Sequence, residues 1–201
     1  MKHEIWRPLA EMKKEKLWYA IVVRDRQGKV VSRERRKAHS FLKQWNQLVY
    51  VHVTNSVYAG IVDTGGTPRN IQPYAQNFRM TAAAGQTTYG IRVGTGNTPV
   101  AIDNFALETP IEEGTGADQM EHLICTVANY VVAPPSCSHV VSRTIANSSG
   151  GVITVREAVC YMVMYDGALK YCCATRDVLA APQAVPNGGA ITIDWAIQVT
   201  A

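Results

Sequence analysis

The feature that most constrains the fold of this chain is a strict alternation of residue types close to its C-terminal end. From Ile191 to Val199 every second residue is Ile, Trp or Val, and the residues between them are Thr, Asp, Ala and Gln. A period of two is typical of a β-strand with one face buried. We therefore predict a strand here, with Ile193, Trp195 and Ile197 on its inward face.

Further runs rich in β-branched and aromatic residues are separated by turn sequences. Asp166-Gly167 gives the strongest hairpin signal, and residues 147–151 (Asn-Ser-Ser-Gly-Gly) give another turn. Many antiparallel strands with little helix predict a mainly β protein, an antiparallel β-sandwich of jelly-roll or Ig-like type. The other predicted strands are residues 17–23, 29–33, 89–93, 123–132, 138–146, 152–165 and 169–179.

Charge is distributed unevenly along the chain. Residues 1–50 contain 13 of the 20 Lys and Arg but only 5 of the 16 Asp and Glu, which gives a net charge of +8 against −4 for residues 51–201. A basic segment on a mildly acidic body indicates a part that docks on something negative. The densest basic stretch consists of Arg24, Arg26, Lys29, Arg33, Arg35, Arg36 and Lys37.

This basic stretch is predicted to form a β-hairpin followed by a helix. Residues 25–28 (Asp-Arg-Gln-Gly) favour a turn, and Ser40 is a suitable helix N-cap. Phe41, Trp45 and Leu48 follow at helical spacing and form an apolar stripe that we interpret as a packing face. The helix is expected to lie against the hairpin or against a neighbouring subunit.

The same patterns divide the chain into three parts. We predict a basic hairpin–helix arm over residues 1–54 and an irregular connector over residues 55–88, which are rich in Gly, Thr, Asn, Pro and Ala. The β-sandwich is predicted for residues 89–201.

Three hypotheses account for the basic residues of the arm. They form a solvated surface, they contact nucleic-acid phosphates without reading sequence, or they bind an acidic surface of a neighbouring protein. Nucleic-acid binding is the weaker alternative because the segment lacks a zinc-finger, recognition-helix or RNP-like pattern. Protein contact is favoured, with the seven basic residues as the contact and Phe41, Trp45 and Leu48 as its apolar anchor.

The sequence offers little that indicates catalysis or a cofactor. It lacks G-x-S-x-G, HExxH, Walker and EF-hand patterns. Its five cysteines contain no CxxC pair, so we predict buried free thiols and no metal site. Disulfides Cys137–Cys160 and Cys125–Cys173 stay open as alternatives. We predict a protein that is not an enzyme and needs no cofactor.

No apolar run reaches the roughly 20 residues of a membrane span, and the polar sequence over residues 1–8 lacks the apolar core of a signal peptide. We expect synthesis in a cytoplasm and no membrane partner.

Three stretches of the chain combine Gly-rich turns with strand sequences. They are residues 90–100 (GIRVGTGNTPV) with 103–111 (DNFALETPI), residues 141–157 (VSRTIANSSGGVITVRE), and residues 176–180 (RDVLA) with 185–193 (VPNGGAITI). Together they resemble a family of uncharacterised virion structural proteins of tailed bacteriophages. The chain departs from that family at Ala158-Val-Cys160, where a Gly-Leu pair is common.

Within these stretches, Arg143 and Glu157 flank the turn at residues 147–151, and we expect them to form an exposed pair across it. We also expect Arg176 and Asp177 to form a charged couple on the outer face of a strand.

The resemblance implies a multi-copy, non-enzymatic virion structural protein made in the host cytoplasm. It would join or decorate head, neck or tail components through contacts with other copies and with other virion proteins. Two alternatives stay open. One is a tail-fibre or baseplate module that binds a host receptor, and the other is a packaging factor that contacts nucleic acid through the basic arm.

Overall fold

Twelve strands and one helix make up the described part of the chain, residues 16–38 and 41–200 of a computed structural model. The helix, α1, spans Lys43–Thr54, and the predicted cap Ser40 lies outside the described residues. The strands are β1 (Lys16–Arg24), β2 (Val30–Lys37), β3 (Tyr58–Val62), β4 (Pro68–Ile71), β5 (Gly90–Gly94), β6 (Glu112–Glu113), β7 (Gln119–Val127), β8 (Val131–Ala133), β9 (Ser136–Ala146), β10 (Ile153–Tyr165), β11 (Leu169–Val185) and β12 (Ala190–Thr200).

The largest sheet has the strand order β2-β1-β12-β9-β7-β6, and β8 pairs with β9 beside β7. β12, the strand with the alternating pattern, lies between β1 and β9 and is antiparallel to both. Of the three residues predicted to face inward, Ile193 and Trp195 are buried, and Ile197 is partly buried against the same core. The short β6–β7 pair is parallel, and the other pairs of this sheet are antiparallel.

A second sheet has the order β11-β10-β5, and all of its pairs are antiparallel. The main apolar cluster contains residues of both sheets, for example Ile193 of β12 and Met162 of β10. A second cluster, which includes Leu107 and Val159, covers the opposite face of β10 and β11. Because both faces are covered, eight consecutive residues of β10, 157–164, are buried. The chain is mainly β with antiparallel sheets, which confirms the coarse prediction.

Helix α1 packs against β11 and β3. Its buried side chains are Gln44, Leu48 and Val51, spaced at four and three residues. The helix ends at Asn55, which adopts the left-handed conformation (φ 48°) that Asn tolerates better than most residues. Within the described residues the main contacts of the helix are with the later strands β11 and β3 and not with the hairpin, and contact with a neighbouring subunit, the other expected alternative, stays a prediction.

The N-terminal strand is part of the largest sheet. Leu17, Ile21 and Val23 of β1 belong to the same core cluster as Leu48 of α1 and Ile193 of β12. The division of the chain at residues 54 and 88 stays a prediction, but β1 and α1 share one core with the later strands and do not project from it.

The predicted irregular connector contains a two-stranded sheet of β3 and β4. Asp63 in the turn between them accepts hydrogen bonds from the N–H groups of Gly65 and Thr67, both at 2.9 Å, and from Nε of Arg69 at 2.7 Å. The Asp side chain thus orders a segment that composition alone assigned to irregular structure. The described residues include no helix with the length and apolar character of a membrane span.

Candidate functional site

Strand β2 forms one edge of the seven-stranded sheet. Among the described residues it pairs with β1 alone, so no described strand lies along its second side. An exposed sheet edge offers unpaired N–H and C=O groups to other chains, and charged side chains on it restrict which chains can bind. Four of the eight residues of β2 are Lys or Arg. β2 is thus an edge strand without a second described partner, and its side chains carry a high positive charge.

The basic residues that the sequence singled out all lie on β1, β2 and the turn between them, and all are exposed. We call this surface the basic edge, and it comprises Arg24, Arg26, Lys29, Arg33, Arg35, Arg36 and Lys37. Arg35 lies opposite Ala20 of β1 on the face turned away from the core. Its guanidinium carbon is 5.6 Å from the centre of the Trp18 ring, a cation–π contact that holds Arg35 against the sheet.

Most of the charge on the basic edge has no carboxylate partner within the described residues. The exception is Arg36, whose Nε lies 2.6 Å from Oε1 of Glu34. Glu34 also accepts hydrogen bonds from the Tyr19 hydroxyl at 3.2 Å and from the Gln183 amide at 3.1 Å. Burial, followed by the nearby Glu34 carboxylate, raises the pKa of Tyr19 to about 12. The Glu34 carboxylate is therefore held by contacts within the chain. The other six basic residues are exposed and have no carboxylate partner among the described residues.

The predicted apolar anchor does not belong to the basic edge. Leu48 is completely buried, so it cannot contact a partner, and its assignment as a contact residue is corrected here. The rings of Phe41 and Trp45 stack at 4.2 Å, and Trp45 meets Phe78 edge to face at 5.1 Å. These aromatic residues pack within the chain, on the side where α1 meets β11 and β3.

A buried carboxylate forms the centre of the best-defined polar site. Glu157 of β10 is 0% exposed. It accepts hydrogen bonds from the backbone N–H groups of Gly96 (3.2 Å), Glu108 (3.2 Å) and Thr109 (2.9 Å), and from Nε of Arg176 at 2.8 Å. Four donors fill the usual capacity of a carboxylate. Glu157 therefore fixes the loop between β5 and β6.

Arg176 of β11 holds the same loop from the other side. It is 2% exposed, and its Nη1 donates to the Thr98 carbonyl at 3.2 Å and to Oδ1 of Asn104 at 3.0 Å. Its Nη2 lies 3.7 Å from a Glu108 oxygen. A cavity of about 330 Å³ opens beside it. The cavity is lined by Thr98, Asp103, Asn104, Phe105, Ala106, Leu107, Glu108 and Arg176.

Two sequence expectations about these charged residues are wrong. Arg143 does not pair with Glu157, because β9 and β10 belong to different sheets and Glu157 pairs with Arg176. Arg176 and Asp177 do not lie on an outer face, because both are buried where the two faces of β11 are covered.

Arg143 instead ties the loop before β5 to the largest sheet. Its guanidinium is buried, and this burial lowers its pKa below the ordinary value for arginine. Such a position needs full hydrogen bonding. The acceptors are the carbonyls of Leu123 (2.7 Å), Ile91 (3.0 Å), Ala83 (3.2 Å) and Gln86 (2.7 Å).

His122 of β7 forms a second buried polar contact. Its Nδ1 and its backbone N–H both lie 2.8 Å from the same oxygen of Glu113. Burial lowers the pKa of His122 to about 4. The cations of Arg143 and Arg92 also lower this pKa, whereas the hydrogen bond to Glu113 raises it. The imidazole is therefore neutral at pH 7 and serves to hold Glu113 in place.

The five cysteines are all free. Cys125, Cys160, Cys172 and Cys173 are buried, whereas Cys137 is exposed, so the prediction of buried thiols holds for four of the five. Burial raises the pKa of each of the four buried thiols, which keeps them protonated and unreactive. In the part of the chain that the structure describes, no group of three His, Cys, Asp or Glu side chains is arranged to hold a metal ion.

Glu157 and Arg176 were each predicted to be charged residues of the sheet, but the sequence did not indicate that they pair with each other. The three stretches that resemble phage virion proteins did contain these residues. Residues 90–111, Glu157 and Arg176 come from one stretch each, and they meet at this one buried site. The seven basic residues meet at a different place, the edge of the largest sheet. Comparison of the chain with protein-family models, with curated proteins and with solved structures gives no significant match, so the geometry of these two sites is the basis on which a function is proposed.

Proposed function

We propose that the chain is a non-enzymatic structural protein of a tailed-bacteriophage virion. Many copies of it would join or decorate head, neck or tail components through protein–protein contacts. The observation that carries this proposal is the basic edge, an open sheet edge whose cations have, apart from Arg36, no carboxylate partner among the described residues. Its location in the virion and its synthesis in the host cytoplasm are parts of the same proposal.

The physical argument for a protein partner is the electrostatic repulsion among the like charges that are crowded along β1 and β2. Directly opposed or adjacent cations repel each other unless a partner neutralises them. An acidic surface of another virion protein would supply that neutralisation, speed association, and add backbone hydrogen bonds along β2. The basic edge thus fits a protein partner with an acidic strand or loop.

The interior of the chain supports a mechanical role. Glu157, Arg143 and His122 have the character of catalytic groups, yet each is buried and held by specific contacts. These contacts fix loops in place. We also infer that the two larger sheets form an antiparallel β-sandwich, because they contribute to one apolar cluster.

The test is incorporation into virions of a variant in which Arg33, Arg35 and Lys37 are all replaced by Glu. We expect this variant to fold and to be absent from purified particles. The matched control carries Arg156→Glu and Lys170→Glu, which reverse charges away from β2, and it should be incorporated normally. Normal incorporation of the β2 variant would overturn the proposal.

The same variant separates the two alternative functions. Particles that contain it but no longer adsorb to cells would indicate a receptor-binding tail-fibre or baseplate module. Salt-dependent retention of DNA by the wild-type chain, lost in the variant, would indicate a packaging factor, because phosphate contacts weaken steeply with salt.

A further inference from the structure

The cavity beside Arg176 is formed by the loop between β5 and β6 and by this one residue of β11. Its volume is about 330 Å³, which lies at the lower end of the ~300–1,000 Å³ range of small-molecule sites. Arg176 holds the loop through Thr98 and Asn104, and Glu157 accepts hydrogen bonds from N–H groups of the loop. The walls of the cavity are therefore fixed before a ligand arrives, which lowers the entropy lost on binding.

Arg176 is the most deeply buried residue of the cavity wall, and one of its nitrogens is unsatisfied. The residue is 2% exposed, and both residues that accept hydrogen bonds from its Nη1, Thr98 and Asn104, also line the cavity. Its Nη2 makes no hydrogen bond within the described residues, because the Glu108 oxygen at 3.7 Å is too distant. A buried N–H group without an acceptor destabilises the structure. An oxygen atom of a bound molecule would supply that acceptor.

The charges around the cavity disfavour a charged ligand. The Arg176 cation is already paired with Glu157 at 2.8 Å. Two further carboxylates, Asp103 and Glu108, line the cavity, so one positive and three negative groups give a local net charge of −2, which repels phosphate and carboxylate groups. A cation would not provide the acceptor that Nη2 lacks. Asp103 makes no hydrogen bond or ion pair with the described residues, so the ligand should also carry donors for the carboxylates.

The cavity also has an apolar wall. Phe105, which is 41% exposed, lines it together with Ala106 and Leu107. An exposed aromatic ring beside hydrogen-bonding groups suits a ligand with an apolar face and polar groups at its edge. A sugar ring has this character, because C–H groups lie on its faces and its hydroxyl groups both donate and accept hydrogen bonds.

We propose that this cavity binds a neutral saccharide. A hydroxyl oxygen accepts a hydrogen bond from Nη2 of Arg176, other hydroxyl groups donate to Asp103 and Glu108, and C–H groups of the ring pack on Phe105. Because the cavity opens to solvent, the bound sugar unit can be the end of a longer glycan. This activity is additional to the proposed structural function and does not use the basic edge.

The test is an NMR titration of the full chain with glucose, galactose, mannose and N-acetylglucosamine. We expect at least one of them to bind with a Kd of about 1 mM and to shift the amide signals of the lining residues between 98 and 108. Phosphate and acetate serve as anionic probes and should leave these signals unchanged. Absence of binding by all four sugars at about 50 mM, or binding of phosphate in their place, would overturn the proposal.

Two variants at exposed positions separate sugar binding from the stability of the loop. Phe105→Ala should raise the Kd about tenfold or more, and Asp103→Asn should raise it about fivefold, because a hydrogen bond to a charged group is weakened. The matched controls are Tyr130→Ala, at a residue that is 73% exposed, and Asp118→Asn, at another exposed residue. Neither control residue lines the cavity, so both should leave the Kd unchanged.

Replacing Arg33, Arg35 and Lys37 by Glu should also leave the Kd unchanged, so a failure of virion incorporation and a failure of sugar binding can be told apart. If both Phe105→Ala and Asp103→Asn bind the sugar as tightly as the wild type does, the sugar binds elsewhere and the assignment of this cavity is wrong.

Discussion

Glu157 and Arg176 form an ion pair at 2.8 Å on adjacent strands of the three-stranded sheet, with 0% and 2% of their side chains exposed. The pair links β10 and β11 to the loop between β5 and β6, because each residue also bonds to that loop. The stability of the loop, and with it the cavity beside Arg176, depends on both residues together.

Replacing Arg176 by Met should lower the free energy of unfolding by about 3–5 kcal/mol, because it leaves a buried carboxylate without its counter-ion. Urea denaturation of the purified chain measures this. The control is Glu112→Gln, which breaks the contact of an exposed carboxylate with Arg92 at 3.3 Å and should cost no more than about 1 kcal/mol. Equal effects of the two variants would show that burial does not decide the contribution of these pairs.

Gly96→Ala should destabilise the chain by about 1–3 kcal/mol, since an added methyl group forces its neighbours to move. A Cβ at this position would lie 2.5 Å from Oε1 of Glu157 and 2.5 Å from Cβ of Glu108. The matched change is Gly151→Ala, where a Cβ would meet no atom within 4 Å. Thermal unfolding should show a lower Tm for the first variant and little change for the second; the reverse order would contradict the close packing around Glu157.

The stability of the chain should fall as the pH is lowered from about 6.5 to about 4. In this range the unfolded chain protonates His122 and the folded chain does not, since the pKa of His122 is lowered from 6.5 to about 4. Unfolding therefore takes up a proton, and the contribution of His122, up to about 3 kcal/mol, is complete above pH 6.5 and lost towards pH 4. Denaturation at several pH values measures the slope.

His122→Gln, which cannot titrate, should flatten this slope, whereas the same change at the exposed residue His52 should not. A slope that is unchanged in His122→Gln would assign the acid sensitivity to other groups.

A thiol reagent should label one cysteine of the native chain at low protein concentration. Cys137 is the exposed thiol, and the other four are buried with raised pKa values. Mass spectrometry should show one added label before unfolding and five in denaturant. Cys137→Ser should remove the rapid label; rapid labelling of Cys172 or Cys173 would contradict the packing on both faces of β11.

The mainly β character could be predicted from sequence because β12 has one buried and one accessible face. Strands of this type show the alternation directly. β10 and β11 are different, since they are covered on both faces, and their buried residues follow one another without alternation. The sequence therefore located these strands through the Asp166-Gly167 turn but placed Arg176 on a surface.

The partners of the buried charges could not be predicted because they are set by pairing between distant segments. The turn at residues 147–151 predicted a pair of Arg143 and Glu157, but the four acceptors of Arg143 lie in residues 83–91 and in β7. The basic edge was easier to predict, since its residues are contiguous in sequence. Leu48 was misassigned because an apolar stripe on a helix does not reveal which neighbour covers it.

The position of β12 has a consequence for biosynthesis. β1 and β9 are both hydrogen-bonded to β12 and are not paired with each other, so the largest sheet cannot close until residues 190–200 have left the ribosome. Chains interrupted before this point would expose the unpaired sides of two strands and would aggregate. The order of the strands thus delays completion of the largest sheet until residues 190–200 have been synthesised.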